Sequence, residues 1–98
     1  MTTITEILNG TITQDSSVAT DSLKELIENI NQTELTEERN SKINNYLKFV
    51  MNSYDDDTAI SCGKQLINGV TTKFKVDEIE CFPEYFKKYK NKVMDVTD

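Results

Sequence analysis

Histidine and tryptophan are absent from this chain of 98 residues, which also has only two cysteines, one proline and three glycines. Because nucleophilic catalysis needs an activating base, the absence of histidine excludes Cys–His and Ser–His pairs. It also excludes a zinc site with mixed ligands, since two thiolates fall short of the four ligands of structural zinc. The glycines are too scattered to form a phosphate-binding loop. These absences predict a non-enzymatic protein with no metal and no cofactor.

The two cysteines, Cys62 and Cys81, do not form a Cys-x-x-Cys motif and are too few for a disulfide scaffold. We expect both to be free thiols in or near the hydrophobic core. The N-terminus lacks the basic and apolar regions of a signal peptide, and no apolar run approaches the ~18–20 residues of a membrane span. The sequence therefore predicts a cytoplasmic protein with no membrane partner.

The charges are distributed unevenly along the chain, whose formal net charge is −6 at pH 7. Residues 1–57 contain eleven acidic and four basic side chains, whereas residues 58–98 contain six acidic and seven basic ones. An acidic surface repels nucleic acid and favours a basic protein partner. The single arginine, Arg39, and the abundance of Asn, Ile and Lys are typical of an AT-rich genome. This bias favours a phage or bacterial source.

Hydrophobic residues recur at helical spacing in five segments of the chain. A content of 37% hydrophobic and 29% charged residues suits one folded domain over residues 1–98, in which residues 95–98 fray. The predicted helices cover residues 3–9, 36–53, 58–68 and 83–94. A further helix, second in chain order, is predicted to start somewhere in 15–20 and to end at residue 31. The predicted fold class is all-α, a small bundle of about five short amphipathic helices.

Local signals indicate where these helices begin and which of them pack closely. The predicted capping residues are Thr3 with Glu6, Ser22 with Glu25, Thr36, and Asp57. Pro83 fits the first turn of the last helix. Gly63 lowers helix propensity by about 1 kcal/mol relative to alanine, so we expect another helix to come close to it. Residues 70–76 have strand-like composition and are interpreted as an extended connection or a short helix start.

Four charged segments of the sequence are candidates for chemistry or ligand binding. The Asp55–Asp57 run fails as a calcium loop, because Ala59, Ile60 and Leu66 stand where an oxygen ligand, glycine and glutamate are needed. The pairs Glu37-Glu38 and Asp77-Glu78 are typical of first helical turns, where acids interact favourably with the helix dipole. The basic stretch 87–92 is interpreted as the solvated face of the last helix, so direct nucleic acid binding is not favoured.

The leading hypothesis is a regulator or inhibitor that binds another protein, one with a basic surface, through an acidic helical surface. The candidate partner-binding residues are Glu25, Glu28, Glu34, Glu37, Glu38, Asp55, Asp56 and Asp57. One alternative is an acidic DNA mimic that inhibits a nucleic-acid-binding protein. Another is a homo-oligomeric structural or small-ligand-sequestering protein, with the aromatic residues Tyr46, Tyr54 and Tyr85 at its interface.

Overall fold

Five α-helices are present in the part of the chain that the structure describes. The structure is a computed structural model that describes residues 3–15, 23–70 and 79–93, the last range without the side chains of residues 86 and 89–93. The helices are α1 (Ile4–Leu8), α2 (Leu23–Asn31), α3 (Thr36–Ser53), α4 (Asp56–Gly69) and α5 (Phe82–Val93). No strand occurs within these ranges, and the predicted all-α class is confirmed.

The long helix α3 is the centre of the bundle, because it contacts each of the other four helices. Helix α4 packs on α2, α3 and α5. The side chains that are less than 2% exposed come from α2 to α5 and from the turn before α5; the largest are Tyr85, Phe49, Ile30, Ile43, Leu47, Leu66, Ile79 and Val50. None of the helices in the described ranges combines the length and the apolar character needed to cross a membrane.

Helix α1 has the termini that its sequence predicts. The Thr3 hydroxyl accepts a hydrogen bond from the Glu6 N–H, and the Glu6 carboxylate accepts one from the Thr3 N–H, which completes the capping box. Gly10 ends the helix in the left-handed region at φ 76°. The N–H of Gly10 donates to the Ile7 carbonyl and that of Thr11 to the Glu6 carbonyl. These bonds form a Schellman motif that satisfies two carbonyls at the end of the helix.

Two predicted N-caps are wrong by one or two residues. Leu35 occupies the N-cap of α3, where it makes no side-chain cap bond, and Thr36 is already helical. Asp55 rather than Asp57 caps α4 by accepting a hydrogen bond from the Thr58 N–H at 2.9 Å. Helix α4 therefore begins at Asp56, two residues earlier than predicted. Aspartate is a good N-cap in any position of the 55–57 run, so composition alone does not select which one serves.

The expectation that another helix lies close to Gly63 is confirmed. The Tyr85 side chain of α5 is fully buried against α4, and its hydroxyl donates to the Ala59 carbonyl at 2.9 Å. A Cβ atom on Gly63 would lie 1.5 Å from the Tyr85 Oη atom. The tyrosine hydroxyl therefore occupies the space that a side chain at position 63 would need.

Two of the three tyrosines predicted for an oligomer interface are core residues. Tyr85 is 0% exposed and Tyr46 is 4% exposed, so neither offers an aromatic surface to a second chain. Their hydroxyls can be buried because each is hydrogen-bonded, Tyr85 to Ala59 and Tyr46 to Cys62. Tyr54 is half-buried and contacts the Phe49 ring edge-on.

Polar side chains of α3 hold the segments that surround it. The Asn44 Oδ1 atom accepts a hydrogen bond from the Cys81 N–H at 2.6 Å, and the Asn45 amide donates to the Leu8 carbonyl at 2.8 Å. The Ser53 hydroxyl accepts from the Asp15 N–H at 2.9 Å. These contacts explain why Asn44 and Ser53 are buried, which the hydrophobic pattern of α3 did not predict.

Several predicted features lie outside the described residues. They are the start of α2 with its Ser22 cap, residues 71–76 of the strand-like segment, the pair Asp77-Glu78, and the frayed terminus 95–98.

Candidate functional site

All eight acidic residues predicted to bind a partner are exposed. They do not gather on one surface. Glu34 and Glu38 line one hollow, Glu37 lines a second and Asp57 a third. Asp56 instead forms an exposed ion pair with Lys88, with 3.4 Å between carboxylate and ammonium. The predicted acidic residues are thus divided among several hollows and an ion pair.

The turn between α2 and α3 borders a shallow, open hollow of about 520 Å³. We call its lining the Leu35 surface; it consists of Asn29, Gln32, Thr33, Glu34, Leu35, Glu38 and Lys42. Leu35 is 69% exposed and is the one exposed large hydrophobic residue among the side chains that the structure describes. The surface thus combines one apolar side chain with polar and charged neighbours beside a shallow hollow.

The backbone under the Leu35 surface is held in place by Thr33, which is buried. Its N–H donates to the Ile30 carbonyl at 3.1 Å, and its hydroxyl donates to the Asn29 carbonyl at 2.9 Å. Its own carbonyl accepts a hydrogen bond from the guanidinium of Arg39, which is 6% exposed. The turn is therefore fixed before any ligand arrives, and preorganisation of this kind reduces the entropy lost on binding.

The lysine of the Leu35 surface forms no ion pair with the two carboxylates of that surface. A Glu38–Lys42 pair has the favourable order and spacing for an ion pair on a helix. The Lys42 ammonium instead donates to the Asn29 Oδ1 atom and to the Thr33 hydroxyl, both at 2.9 Å. Within the described ranges the recorded ion pair is Lys88 with Asp56, so neither Glu34 nor Glu38 forms one there.

The start of α3 lacks a cap that one substitution would supply. Glu38 occupies the third helical position, where a capping box needs a glutamate, but the N-cap is Leu35, whose side chain has no hydrogen-bonding group. The same protein forms the complete box at Thr3 and Glu6. A leucine in place of a serine or threonine N-cap lowers stability by about 0.5–2 kcal/mol. Leu35 therefore leaves the start of α3 without a side-chain cap and, being exposed, adds little apolar burial in return.

The second hollow, also of about 520 Å³, lies between α3 and the turn before α5. Its lining residues are Thr36, Glu37, Asn40, Ser41, Asn44 and Glu80. The neighbours Glu37 and Glu38 thus line different hollows and do not converge on one reacting centre. Within the described residues no group of three or more acidic, cysteine or histidine side chains has the arrangement of a metal site.

The third hollow, of about 260 Å³, brings Cys62 near the predicted residue Asp57. Cys62 is 4% exposed, and burial raises the pKa of its thiol despite a hydrogen bond with Tyr46. Burial also raises the pKa of the Cys81 thiol from 9.0 to about 11. Both cysteines are free and buried, as the sequence predicts.

Neither thiol is expected to react with Ellman's reagent near neutral pH while the protein is folded. The thiolate is the nucleophile, and burial both disfavours its formation and blocks access to it. Spectrophotometric thiol counting should therefore find no rapid reaction in the native protein and two thiols per chain in concentrated guanidinium chloride. A thiol that reacts within seconds in the native protein would contradict the buried positions.

The stabilisation that α4 receives from the Asp55 cap is expected to be lost in acid. Hydrogen bonds from the Thr58 hydroxyl and the Thr58 N–H lower the pKa of the Asp55 carboxyl from 3.8. A lowered folded-state pKa means that the stabilisation is present above pH 3.8 and is lost as the pH falls through the lower value. The measurement is the thermal midpoint of wild type and Asp55→Asn against pH. Their difference should vanish in acid, and a constant difference would refute the assignment.

Comparison with models of protein families, with curated proteins and with solved structures finds no match to this chain. Function is therefore inferred from the residues themselves. Two residues of the Leu35 surface, Leu35 and Lys42, were not among the binding residues predicted from the sequence. The available signal was that Leu35 belongs to no amphipathic stripe and directly precedes the acidic first turn of α3.

The basic stretch 87–92 lies within α5. Lys87 and Lys88 are exposed, which agrees with their predicted place on a solvated face. The ion pair of Lys88 with Asp56 connects this stretch to the start of α4. The stretch therefore meets one of the predicted partner-binding acids within the same chain.

Proposed function

We propose that this chain is a non-enzymatic regulator or inhibitor that acts by binding another protein, and that the Leu35 surface is its point of contact. The observation that carries the proposal is the exposure of Leu35 at a helix start that it leaves uncapped. A residue that leaves a helix start uncapped and buries little apolar surface suggests selection for another purpose, because binding sites are where sequences depart from locally favourable choices.

The composition of the surface supports protein binding over the alternatives. Protein interfaces combine an apolar centre with a polar rim, and a few central residues supply most of the binding energy. Leu35 provides the apolar centre, and Glu34 and Glu38 provide the rim. The other predicted acids, Glu25, Glu28, Glu37 and Asp55 to Asp57, form the wider negative field that speeds association with a basic partner. Two buried free thiols support a reducing compartment, such as the cytoplasm, for this interaction.

Affinity capture from the cells that produce the protein tests this proposal when variants are compared in parallel. The immobilised wild type should retain a specific partner at low salt, and Leu35→Ala should lose it. With the purified partner, Leu35→Ala should weaken binding at least about tenfold, as expected for a central interface residue.

Two charge reversals of equal size serve as the matched comparison. Glu34→Lys/Glu38→Lys changes the Leu35 surface, whereas Glu25→Lys/Glu28→Lys changes two exposed positions of α2 outside it. The first should weaken binding strongly and the second only slightly. If Leu35→Ala captures the partner as wild type does, the Leu35 surface is not the point of contact. Equal losses in the two charge reversals would also refute that assignment and favour the acidic DNA mimic.

A further inference from the structure

From the composition of the Leu35 surface we infer the chemistry of its occupant, a peptide segment of the partner in which a large apolar side chain lies beside a lysine or arginine. This inference rests on the proposed function and deepens it. It commits to the segment's composition, whereas the proposed function requires only that the surface contacts a protein.

The apolar half of the occupant follows from Leu35. With 69% of its surface exposed, this side chain offers apolar area that a ligand can remove from water. The adjoining hollow of about 520 Å³ is shallow and open, so it suits a side chain presented by a larger molecule better than an enclosed small ligand. Because hydrogen bonds through Thr33 fix the turn, the occupant meets a surface that is already formed.

The basic half of the occupant follows from the two glutamates. Glu34 and Glu38 line the same hollow as Leu35, and no ion pair engages them within the described residues. The Lys42 ammonium bonds to Asn29 and Thr33 and to neither carboxylate, so the lining keeps a formal charge of −1 and both carboxylates can accept a hydrogen bond from the occupant. A lysine or arginine next to the apolar group would gain a charge-assisted hydrogen bond from either carboxylate, and arginine can bond to one of them bidentately.

The same charges disfavour two other occupants. A second copy of this chain docked face to face would bring two patches of the same net negative charge together, since such a contact uses the same patch twice. The net charge of −6 adds repulsion between copies. Nucleic acid would bring phosphates to a surface whose formal charge is negative. A basic and apolar protein segment satisfies both the charge and the exposed leucine.

Selection from a displayed library of random dodecapeptides on the immobilised full-length chain tests this inference. Enriched peptides should contain a large apolar residue with lysine or arginine within about one helical turn of it. A synthetic copy of the strongest peptide should bind Leu35→Ala at least about tenfold more weakly than wild type. Glu34→Gln/Glu38→Gln should weaken it about three- to tenfold at low salt, with a smaller effect at high salt. The control Glu25→Gln/Glu28→Gln, which changes the wider negative field and not the lining of the hollow, should weaken it less than about twofold.

Three results would overturn the inference: no peptide enriched above the Leu35→Ala background, enriched peptides without basic residues, or equal binding to both glutamine variants. They are distinguishable from failure of the proposed function. If the natural partner depends on Leu35 but the peptides lack basic residues, the surface stands and the occupant's chemistry is wrong. If capture of the partner does not depend on Leu35, the assignment of the Leu35 surface as the binding surface is wrong.

Discussion

Gly63→Ala is expected to lower the free energy of unfolding by about 2–4 kcal/mol, a large part of the ~5–15 kcal/mol of a typical domain. The new Cβ atom would lie 1.5 Å from the Tyr85 Oη atom and 2.3 Å from its Cζ atom. Tyr85 is fully buried, so relief requires the ring to move and its hydrogen bond to Ala59 to break. Overpacking and an unsatisfied hydroxyl each cost about 1–3 kcal/mol, and the better helix propensity of alanine returns about 1 kcal/mol.

Urea unfolding followed by circular dichroism measures this effect, and Gly69→Ala is the matched control. A Cβ atom on Gly69 would meet the end of the Ile27 side chain at 2.7 Å, and that flexible, half-buried side chain can adjust. Its effect should therefore be below about 1 kcal/mol. In the double variant Gly63→Ala/Tyr85→Leu the loss should be smaller than the sum of the single losses. Additive losses would show that the two positions do not interact as described.

Leu35→Ser is expected to raise stability and to abolish partner binding in the same protein. The new hydroxyl could accept a hydrogen bond from the Glu38 N–H, while the Glu38 carboxylate accepts one from the N–H of position 35. The gain in the free energy of unfolding should be about 1 kcal/mol. Loss of the apolar side chain should weaken partner binding at least about tenfold. Urea unfolding and a titration with the captured partner measure the two effects.

The variant Leu35→Ala distinguishes the effect of the N-cap on stability from the effect of the leucine side chain on partner binding. It removes the apolar side chain without supplying a cap, so stability should change by less than about 0.5 kcal/mol while binding is lost as in Leu35→Ser. A fall in stability in both variants would mean that Leu35 contributes to folding, and the reason for assigning it to binding would disappear. Wild-type binding by either variant would have the same consequence for the Leu35 surface.

The helices could be predicted from sequence where hydrophobic spacing and local capping agree. Helix α3 covers the predicted range 36–53, although its N-cap lies one residue earlier than predicted, and the box of Thr3 with Glu6 is present. The close approach of another helix to Gly63 was predictable, because a glycine inside a helix lowers helix propensity and a close contact can compensate for it. Such signals are local, and they remain readable without knowledge of the neighbours.

The buried polar residues could not be predicted in the same way. Arg39 and Asn44 look like solvated positions of α3, yet each is less than 10% exposed. Their partners are the carbonyl of Thr33 and the N–H of Cys81, backbone groups that any residue type would offer. Backbone partners cannot be recognised from the sequence. Whether these two side chains are buried therefore depends on the tertiary arrangement, which hydrophobic periodicity does not predict.

The candidate site was predictable in its charge but not in its position. Glu34 and Glu38 were among the predicted acids, whereas the hollow that joins them to Leu35 depends on how α2 turns into α3. The capping rule pointed to Thr36, and its failure is what draws attention to the leucine before it. The sequence thus indicated an acidic protein, and the fold indicated which of its acids share a surface with an exposed apolar group.

The central position of α3 has a consequence for the order in which the chain folds. Its side chains bond to segments 37 to 39 residues away, including Asn45 to Leu8, Asn52 to Thr13 and Asn44 to Cys81. These long-range bonds require closure of long loops, whereas α3 and α4 are separated by two residues, so we expect the α3–α4 pair to form early. Helix α1 has five residues and is too short to be stable in isolation, so we expect it to dock late and to open first. Hydrogen exchange should then be faster for the amide protons of α1 than for those of α3.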